Sequence, residues 1–419
     1  MANVVDNVVD NEQAQHDRSG VPFASLRNRD FLFYWIGGMA SFLGMQMQQV
    51  AQGWLVLDLT DSPFYLGLVG AISSAPILFL SLFGGVVADR LDRRNLLVVA
   101  QGLMALPALG IGYLAATGAI EIWHLIGLSA IIGGLAAFVM PARQAYMSDL
   151  VQRRELVNAI ALNSAGLNLT RVIGPSLGGL LIASAGVAGA YFLSGATGIV
   201  IVFTLLLIPS RGAVGQPNGQ SVWSNIAEGL RYIRKNELVL ISLSFGAIVV
   251  IFGLSYQLIL PVFARDVYFV GAEGLGFLMA AAGGGALCCS LAIASLGNVR
   301  RKGFVMFASG AGLGAGLILF AISPSFTVAL VMQFLIGAVS VTAMSMNNTI
   351  IQMVVPNELR GRVMSVMMLT FGLMPIGSLL IGGIASIAGA SLAVTLSGGV
   401  VLLSAVSLAF LSQGVRRLD

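Results

Sequence analysis

Charge is what this sequence has least of. Only 10 % of its 419 residues are Asp, Glu, Lys or Arg, while 57 % are hydrophobic. A soluble domain carries about 25 % charged and about 45–50 % apolar residues. A water-soluble fold of this composition could not cover its own surface, so lipid must be the solvent for most of the chain. Cysteine and histidine are nearly absent. Cys288 and Cys289 are neighbours in an apolar run, where adjacent helical side chains diverge, so a disulfide framework is excluded. His16 and His124 stand far apart, which leaves no metal-ligand spacing. No phosphate loop and no nucleophile–base constellation is present, so neither an enzyme nor an ATP-driven pump is expected, and no cofactor. The opening MANVVDNVVDNEQAQHDRSG has no apolar h-region. A cleaved signal peptide is therefore not expected, and residues 1–25 read as a disordered cytoplasmic tail.

What is abundant is long apolar runs. About 20 such residues cross a bilayer, and twelve runs qualify: 31–57, 63–87, 95–117, 123–146, 156–184, 188–208, 238–263, 272–295, 303–322, 326–349, 361–387 and 390–411. The expected fold is an all-α membrane protein of twelve transmembrane helices in two pseudo-symmetric six-helix bundles. The amino-terminal bundle covers 26–208, a cytoplasmic linker 209–237, the carboxyl-terminal bundle 238–412 and a tail 413–419. With the amino terminus inside, every one of the 22 basic residues except Arg171 and Arg265 falls on the inner side, Arg143 among them. That asymmetry puts both termini in the cytoplasm. The net charge of +4 is thus matched to an anionic leaflet rather than to nucleic acid.

The chain repeats itself. Shifted by 204 residues, LVQRRELVNAI lies over VVPNELRGRVM and Gly178-Gly179 over Gly382-Gly383; Leu66-Gly67 matches Leu275-Gly276 near the second span of each half. Internal duplication of this kind marks secondary transporters. In the linker, Trp223, Ile226, Leu230 and Ile233 fall at helical spacing, which suits an interfacial amphipathic helix; a polar linker with incidental periodicity is the alternative.

GGVVADRLDRRNLL joins the second and third spans. A positive-inside loop accounts for its arginines, but not for the spacing of Gly85, Asp89, Arg90, Arg93 and Arg94. That spacing resembles the signature loop of the major facilitator superfamily, with Asp92 where many members have Gly and can tolerate a left-handed turn. MQQVAQGWLVLDLTDSPFYLGLVGA, PARQAYMSDLVQRRELVNAIALNS and VPNELRGRVMS are similar to the bacterial exporter branch that includes the enterobactin exporter, macrolide-efflux and transmembrane secretion effector proteins. Lysophospholipid flippases belong to the same branch. The resemblance implies that Asp89 latches the two halves by meeting the start of the eleventh helix near Glu358 and Arg362, although Arg362 can instead pair with Glu358.

The fifth run contains NLTRVIGPSLGG. Gly174, Pro175, Gly178 and Gly179 resemble the G-P-x-x-G-G core of the superfamily's exporters, which implies outward transport. Physically they form a small-residue face with a proline kink, or are packing residues alone. Arg171 lies deep in the span, where a charge is costly unless it faces a wet interior. Ser164, Asn168, Arg171, Gly174 and Gly178 share one face, so Arg171 reads either as a cavity cation for an anionic or polar substrate group or as a structural cap for carbonyls freed by Pro175. Gln46, Gln49, Asn168, Tyr256, Gln257 and Gln333 are further cavity candidates, each with interhelical hydrogen bonding as the plainer role. No acid lies mid-span, so proton coupling follows only from the resemblance, with Asp58 or Asp149 as carriers.

The expected function is export of small amphipathic molecules (drug, siderophore or secondary metabolite) across the bacterial inner membrane, by alternating access and proton antiport. A lipid or lysophospholipid flippase of the same fold and a non-transporting sensor are the alternatives. The expected partners are a small-molecule substrate, the bilayer and protons, with no metal, no nucleic acid and a monomeric chain. Asp89→Ala or Asp89→Asn should lower transport while leaving protein in the membrane; full activity of both in a transport assay removes the latch.

Overall fold

In a computed structural model of the chain, residues 24–412 and 414 are described, apart from 153, 211–221, 297 and 298. At 24, 78, 81–83, 85, 86, 88, 89 and 222–226 the backbone alone is described. The tails expected at 1–25 and 413–419 and the middle of the linker lie largely outside the described residues, as do the side chains of Asp89, Trp223 and Ile226. Every described regular element is helical: a 3-10 turn Ala24–Arg27, then α1 Arg29–Thr60, α2 Pro63–Arg90, α3 Arg93–Thr117, α4 Ile122–Leu150, α5 Leu156–Leu206, α6 Val222–Lys235, α7 Glu237–Val267, α8 Gly271–Leu296, α9 Lys302–Ala321, α10 Phe326–Val354, α11 Asn357–Ala388 and α12 Ala390–Leu411. Among the described residues, nine of these are long and apolar enough to cross a membrane, α1, α2 and the short α6 standing outside that set. Four glutamines, Gln46, Gln48, Gln49 and Gln52, dilute the apolar character of α1.

α5 counts once in that set but cannot be one span. Its 51 residues would reach roughly 77 Å at about 1.5 Å per residue, against a hydrocarbon core of about 30 Å. The break is at Gly186, with φ 71° and ψ 175°, a conformation that glycine adopts without a Cβ clash. Contacts with α1 show that the chain reverses there. Gly166, Gly174 and Gly178 pack on Met39, Gln46 and Met47 in increasing order, whereas Gly37 and Gly44 pack on Thr204 and Thr197 in decreasing order. The arms 156–185 and 187–206 therefore flank α1 in opposite directions. Pro175, expected to kink the helix, leaves it helical; Gly186 is the non-helical residue inside it.

Caps fix where the helices begin and how they join. Asn28 accepts from the backbone N–H of Asp30 at 3.0 Å and donates its own Nδ2 to the Leu150 carbonyl at 2.7 Å. One amide thus closes the start of α1 and the end of α4 together. α6 is docked on protein: Ile233 is buried with Val239, Leu243, Ile351, Val355, Val363 and Met367, and Gly229 lies against the Arg362 carbonyl of α11.

The amino-terminal and carboxyl-terminal halves of the sequence meet along two seams of small residues. On one, a Cβ built on Gly276 of α8 would sit 2.4 Å from the Pro175 carbonyl, and one on Gly179 would sit 2.5 Å from the Ala272 carbonyl. On the other, a Cβ on Gly67 of α2 would sit 2.3 Å from the Ser378 carbonyl and 3.0 Å from the Gly382 Cα of α11. The pairs Gly179–Gly276 and Gly67–Gly382 occupy corresponding places in the repeat: Gly382 lies one residue off the ungapped shift of 204 from Gly179, and Leu66-Gly67 matches Leu275-Gly276. Pro175 also contributes electronically. Lacking an N–H, it frees the Arg171 carbonyl four residues earlier, and that oxygen is where Gly283 of α8 makes its close approach.

α7 is the irregular helix of the fold, with π-helical turns at Val249–Leu254 and Phe263–Val267 around a 3-10 turn Ser255–Ile259. α11 loosens after Phe371 and resumes at Met374, with Pro375 in its first turn.

The seams make a stability prediction. Gly67→Ala and Gly276→Ala should each cost about 1–3 kcal/mol through forced overpacking. Gly102→Ala, which meets nothing within 4 Å, should be neutral or stabilising. Thermal unfolding of the purified proteins reads the difference; equal midpoints for all three would mean that the seams are not tight.

Candidate functional site

A cavity of about 330 Å³ lies where α1, α2, α3, α4 and the second arm of α5 face α7 and α8. It is built from regular helix faces. On α1, Ser41, Met45, Gln48, Gln52 and Val56 recur every three or four residues; on α4, Ser129, Ile132, Ala136, Met140 and Arg143 do the same. Both stripes follow the period that puts i, i+4 and i+7 on one side of a helix. α7 adds Gln257, Leu258 and Pro261, and α8 adds Leu275 and Met279.

The lining is chiefly apolar and rich in thioethers, from Met45, Met104, Met140 and Met279, with amides and hydroxyls set into it. These polar groups hold one another. Gln52 Nε2 donates to Ser129 Oγ at 2.9 Å, Ser194 Oγ donates to Gln48 Oε1 at 3.0 Å, and Ser41 Oγ donates to Gln101 Oε1 at 3.2 Å. Flexible, polarisable methionine walls accept varied shapes, and a few fixed amides orient what enters.

The buried cation of this cavity is Arg143. It is 7 % exposed, its Cζ lies 4.2 Å from the centroid of the Phe42 ring, and its carbonyl accepts from Tyr34 Oη at 3.0 Å. The sequence places it near the end of an apolar run, and it reads there as one more inner-side arginine. The structure shows what that reading left out: α4 continues to Leu150, and Arg143 is buried seven residues before its end. The usable signal was its register with Ser129, fourteen residues earlier on the same face. Arg171, the cation expected to line the cavity, is exposed on α5 and outside the lining.

The other candidates divide. Gln49 and Gln257 line the cavity. Gln46 packs against Gly174, and Asn168 is half-buried outside the lining. Tyr256 and Gln333 form a separate buried pair, with Tyr256 Oη donating to Gln333 Oε1 at 2.8 Å. Gly174, Pro175, Gly178 and Gly179 are all buried, the first and third on α1, the other two on α8. Of the two acids considered for protons, Asp58 is exposed. Asp149 takes Arg93 Nη1 on both carboxylate oxygens, at 2.9 and 2.8 Å, which ties α3 to α4.

The loop arginines are also committed. Arg94 donates from Nε and Nη2 to the Leu205 and Leu206 carbonyls, each at 2.9 Å, closing the last turn of α5. Asp92 has φ −59° and ψ 114°, an extended-type conformation, and caps α3 by accepting from the Asn95 N–H; the left-handed turn is not used. Partial burial opposes its ionisation, but hydrogen bonds from Ser210 and the Asn95 and Arg94 backbone, with the Arg94 charge, hold its pKa below the ordinary carboxylate value. Arg90 and Glu358 are exposed. Arg362, near the start of α11, pairs with Glu228 of the linker helix α6.

At the opposite end of the molecule, Arg265 of α7 clasps the α1–α2 turn. Its Nη2 contacts Asp61, its Nη1 donates to the Leu57 carbonyl at 3.0 Å, and its Nε donates to Asp266 at 2.6 Å. Asp61 holds a left-handed conformation, φ 48°, which Asp tolerates better than most residues. The clasp spans the two halves of the sequence at the end that the glycine seams close.

The family described as "Transmembrane secretion effector" matches residues 20–419. The enterobactin exporter EntS of Shigella boydii serotype 18 is 28 % identical over 312 residues, 73 % of each chain, and EntS of Escherichia coli O157:H7 is equally similar. Among solved structures, the nucleoside transporter NupG superposes with a TM-score of 0.74 at 14 % identity, over 92 % of this chain and 99 % of that one. A peptide transporter of the POT type in complex with sulfate gives 0.73 at 10 % identity, over 93 % and 95 %.

Opposite charges at the clasp should be exchangeable. Arg265→Asp and Asp61→Arg should each lower transport several-fold, and the double exchange should recover part of the loss. Additive losses in the double variant would show that the pair is not coupled.

Proposed function

Because this chain belongs to the transmembrane secretion effector family and is a multi-pass membrane transporter, we propose that it is a secondary active exporter of small amphipathic molecules in the bacterial inner membrane. The observation that carries the reading is the methionine- and amide-lined cavity bordered by both halves of the sequence. A cargo with an apolar body and a few polar groups matches that lining.

Alternating access follows from the architecture. We take the twelve sequence runs as twelve spans, with α5 supplying two, arranged as two six-helix bundles joined through α6. With both termini cytoplasmic, the end bearing Asp61, Arg265 and the glycine seams is outward, and the structure corresponds to a state closed on that side. Export then requires the Gly67–Gly382 and Gly179–Gly276 seams to part while the Asp149 end closes. The proton gradient is the proposed driving force, by antiport. Transport at 28 % identity to the enterobactin exporter EntS also makes a siderophore-like metabolite a reasonable cargo class.

The test is accumulation in energised inverted vesicles, from a chemically diverse library, with and without an uncoupler. Uptake of amphipathic compounds that collapses with uncoupler is expected. Uptake insensitive to uncoupler removes antiport, and movement of lysolipid alone replaces export by flipping.

A further inference from the structure

We propose that Arg143 is the recognition site for an anionic group on the transported molecule, so that the cargo class is an amphipathic anion: a carboxylate, phosphate or comparable oxyanion on an apolar or aromatic body. This deepens the exporter reading and rests on it.

Four other arginines of the chain have carboxylate or carbonyl partners. Arg93 has the Asp149 carboxylate, Arg94 has two helix-end carbonyls, Arg265 has Asp61, Asp266 and a carbonyl, and Arg362 has Glu228. Those four sit at helix ends, where partners are plentiful. Arg143 is the exception. Its Nε and Nη2 are buried and have no hydrogen-bond partner among the described residues, and none of the described ion pairs includes it.

A guanidinium kept only for packing is a poor choice at such a place. Buried charge is retained where it is paired, or where pairing is its task. The stacking on Phe42 satisfies the face of the guanidinium but none of its N–H groups. Nε and Nη2 together form one edge of the fork, whose two parallel N–H bonds match the two oxygens of a carboxylate or phosphate. The unpartnered atoms are therefore a complete bidentate donor set. In this structure that edge is closed to solvent, while the residue lines the cavity. A rotamer change turns the edge inward.

The surroundings favour the same ligand class. Among the described residues, no Asp or Glu lines the cavity, so none of them competes for the guanidinium or repels an anion. Phe42, Met45, Met104 and Met140 line the same space and offer an apolar bed beside the charge. A cationic cargo would meet Arg143 with no compensating carboxylate.

The test compares three probes of one shape, naphthoate, naphthamide and naphthylmethylammonium, binding to the purified full-length chain in phosphatidylcholine nanodiscs, read by calorimetry. The wild type should bind naphthoate at least about tenfold more tightly than naphthamide, as a charge-assisted bidentate contact implies, and should bind the ammonium weakest. Arg143→Gln should reduce that preference to within about twofold, and Arg143→Lys, with charge but no fork, should fall between. Equal binding of naphthoate and naphthamide by the wild type, absence of naphthoate binding, tighter ammonium binding or a preference that survives in Arg143→Gln would each overturn the proposal. The wild-type comparison stands even if a variant fails to fold. Anion preference without vesicle transport would sink the exporter reading alone; transport of neutral or cationic compounds without anion preference would sink this one alone.

Discussion

Backbone-to-backbone approach between glycines is the constraint on which the rest of this molecule depends. At Gly67 and Gly276 a single added carbon would fall well inside contact distance of a carbonyl on the facing helix. Lipid supplies no hydrophobic force between helices, so close van der Waals packing has to hold them. Two such seams, at corresponding places in a duplicated sequence, join the halves at one end while leaving room for a cavity beside them. A seam made of small residues also separates at modest cost, since it carries few interlocking side chains. That combination suits a joint that opens in every cycle.

The scarce charges are distributed by the same logic. Salt bridges and carbonyl caps gather at the helix ends, where Arg93, Arg94, Arg265 and Arg362 tie loops and turns together. Between those ends the described residues of the cavity offer amides, hydroxyls and one buried arginine, with no acid among them. In the proposed cycle, the seams and the clasp at Arg265 set which end is shut, and the cavity and Arg143 set what is carried. α7, with its two π turns, contributes to both, since Gln257 and Pro261 line the cavity and Arg265 reaches the clasp.

Much of the fold was legible in the sequence because apolar length, loop charge and repetition are strong signals in a membrane protein. The boundary between the fifth and sixth runs falls at Gly186, between the predicted ends at 184 and 188. The GPSLGG segment was legible as a packing face, but not as a two-sided one, because helical period alone does not tell which neighbour each glycine meets. The site was less legible. Depth in a run was the criterion that favoured Arg171, whereas the residue that faces the cavity is set by helix rotation. Ser129, Ile132, Ala136, Met140 and Arg143 form a stripe whose polar ends could have been read as a lining. The amides of α1 were recognisable as a group, and only the neighbouring helices separate Gln48, Gln49 and Gln52 from Gln46.

The central claim is that the two ends of the molecule open alternately around this cavity. Spin labels at Ala119 and Ser325 report on the clasp end, and labels at Ser148 and Gln352 on the other, in a chain whose Cys288 and Cys289 have been replaced. Distance distributions measured by electron–electron double resonance in nanodiscs, with Arg265 intact and as Arg265→Gln, test the claim directly. The account predicts that loss of the clasp lengthens the first distance and shortens the second. Distances that stay fixed, or that lengthen together, would contradict it.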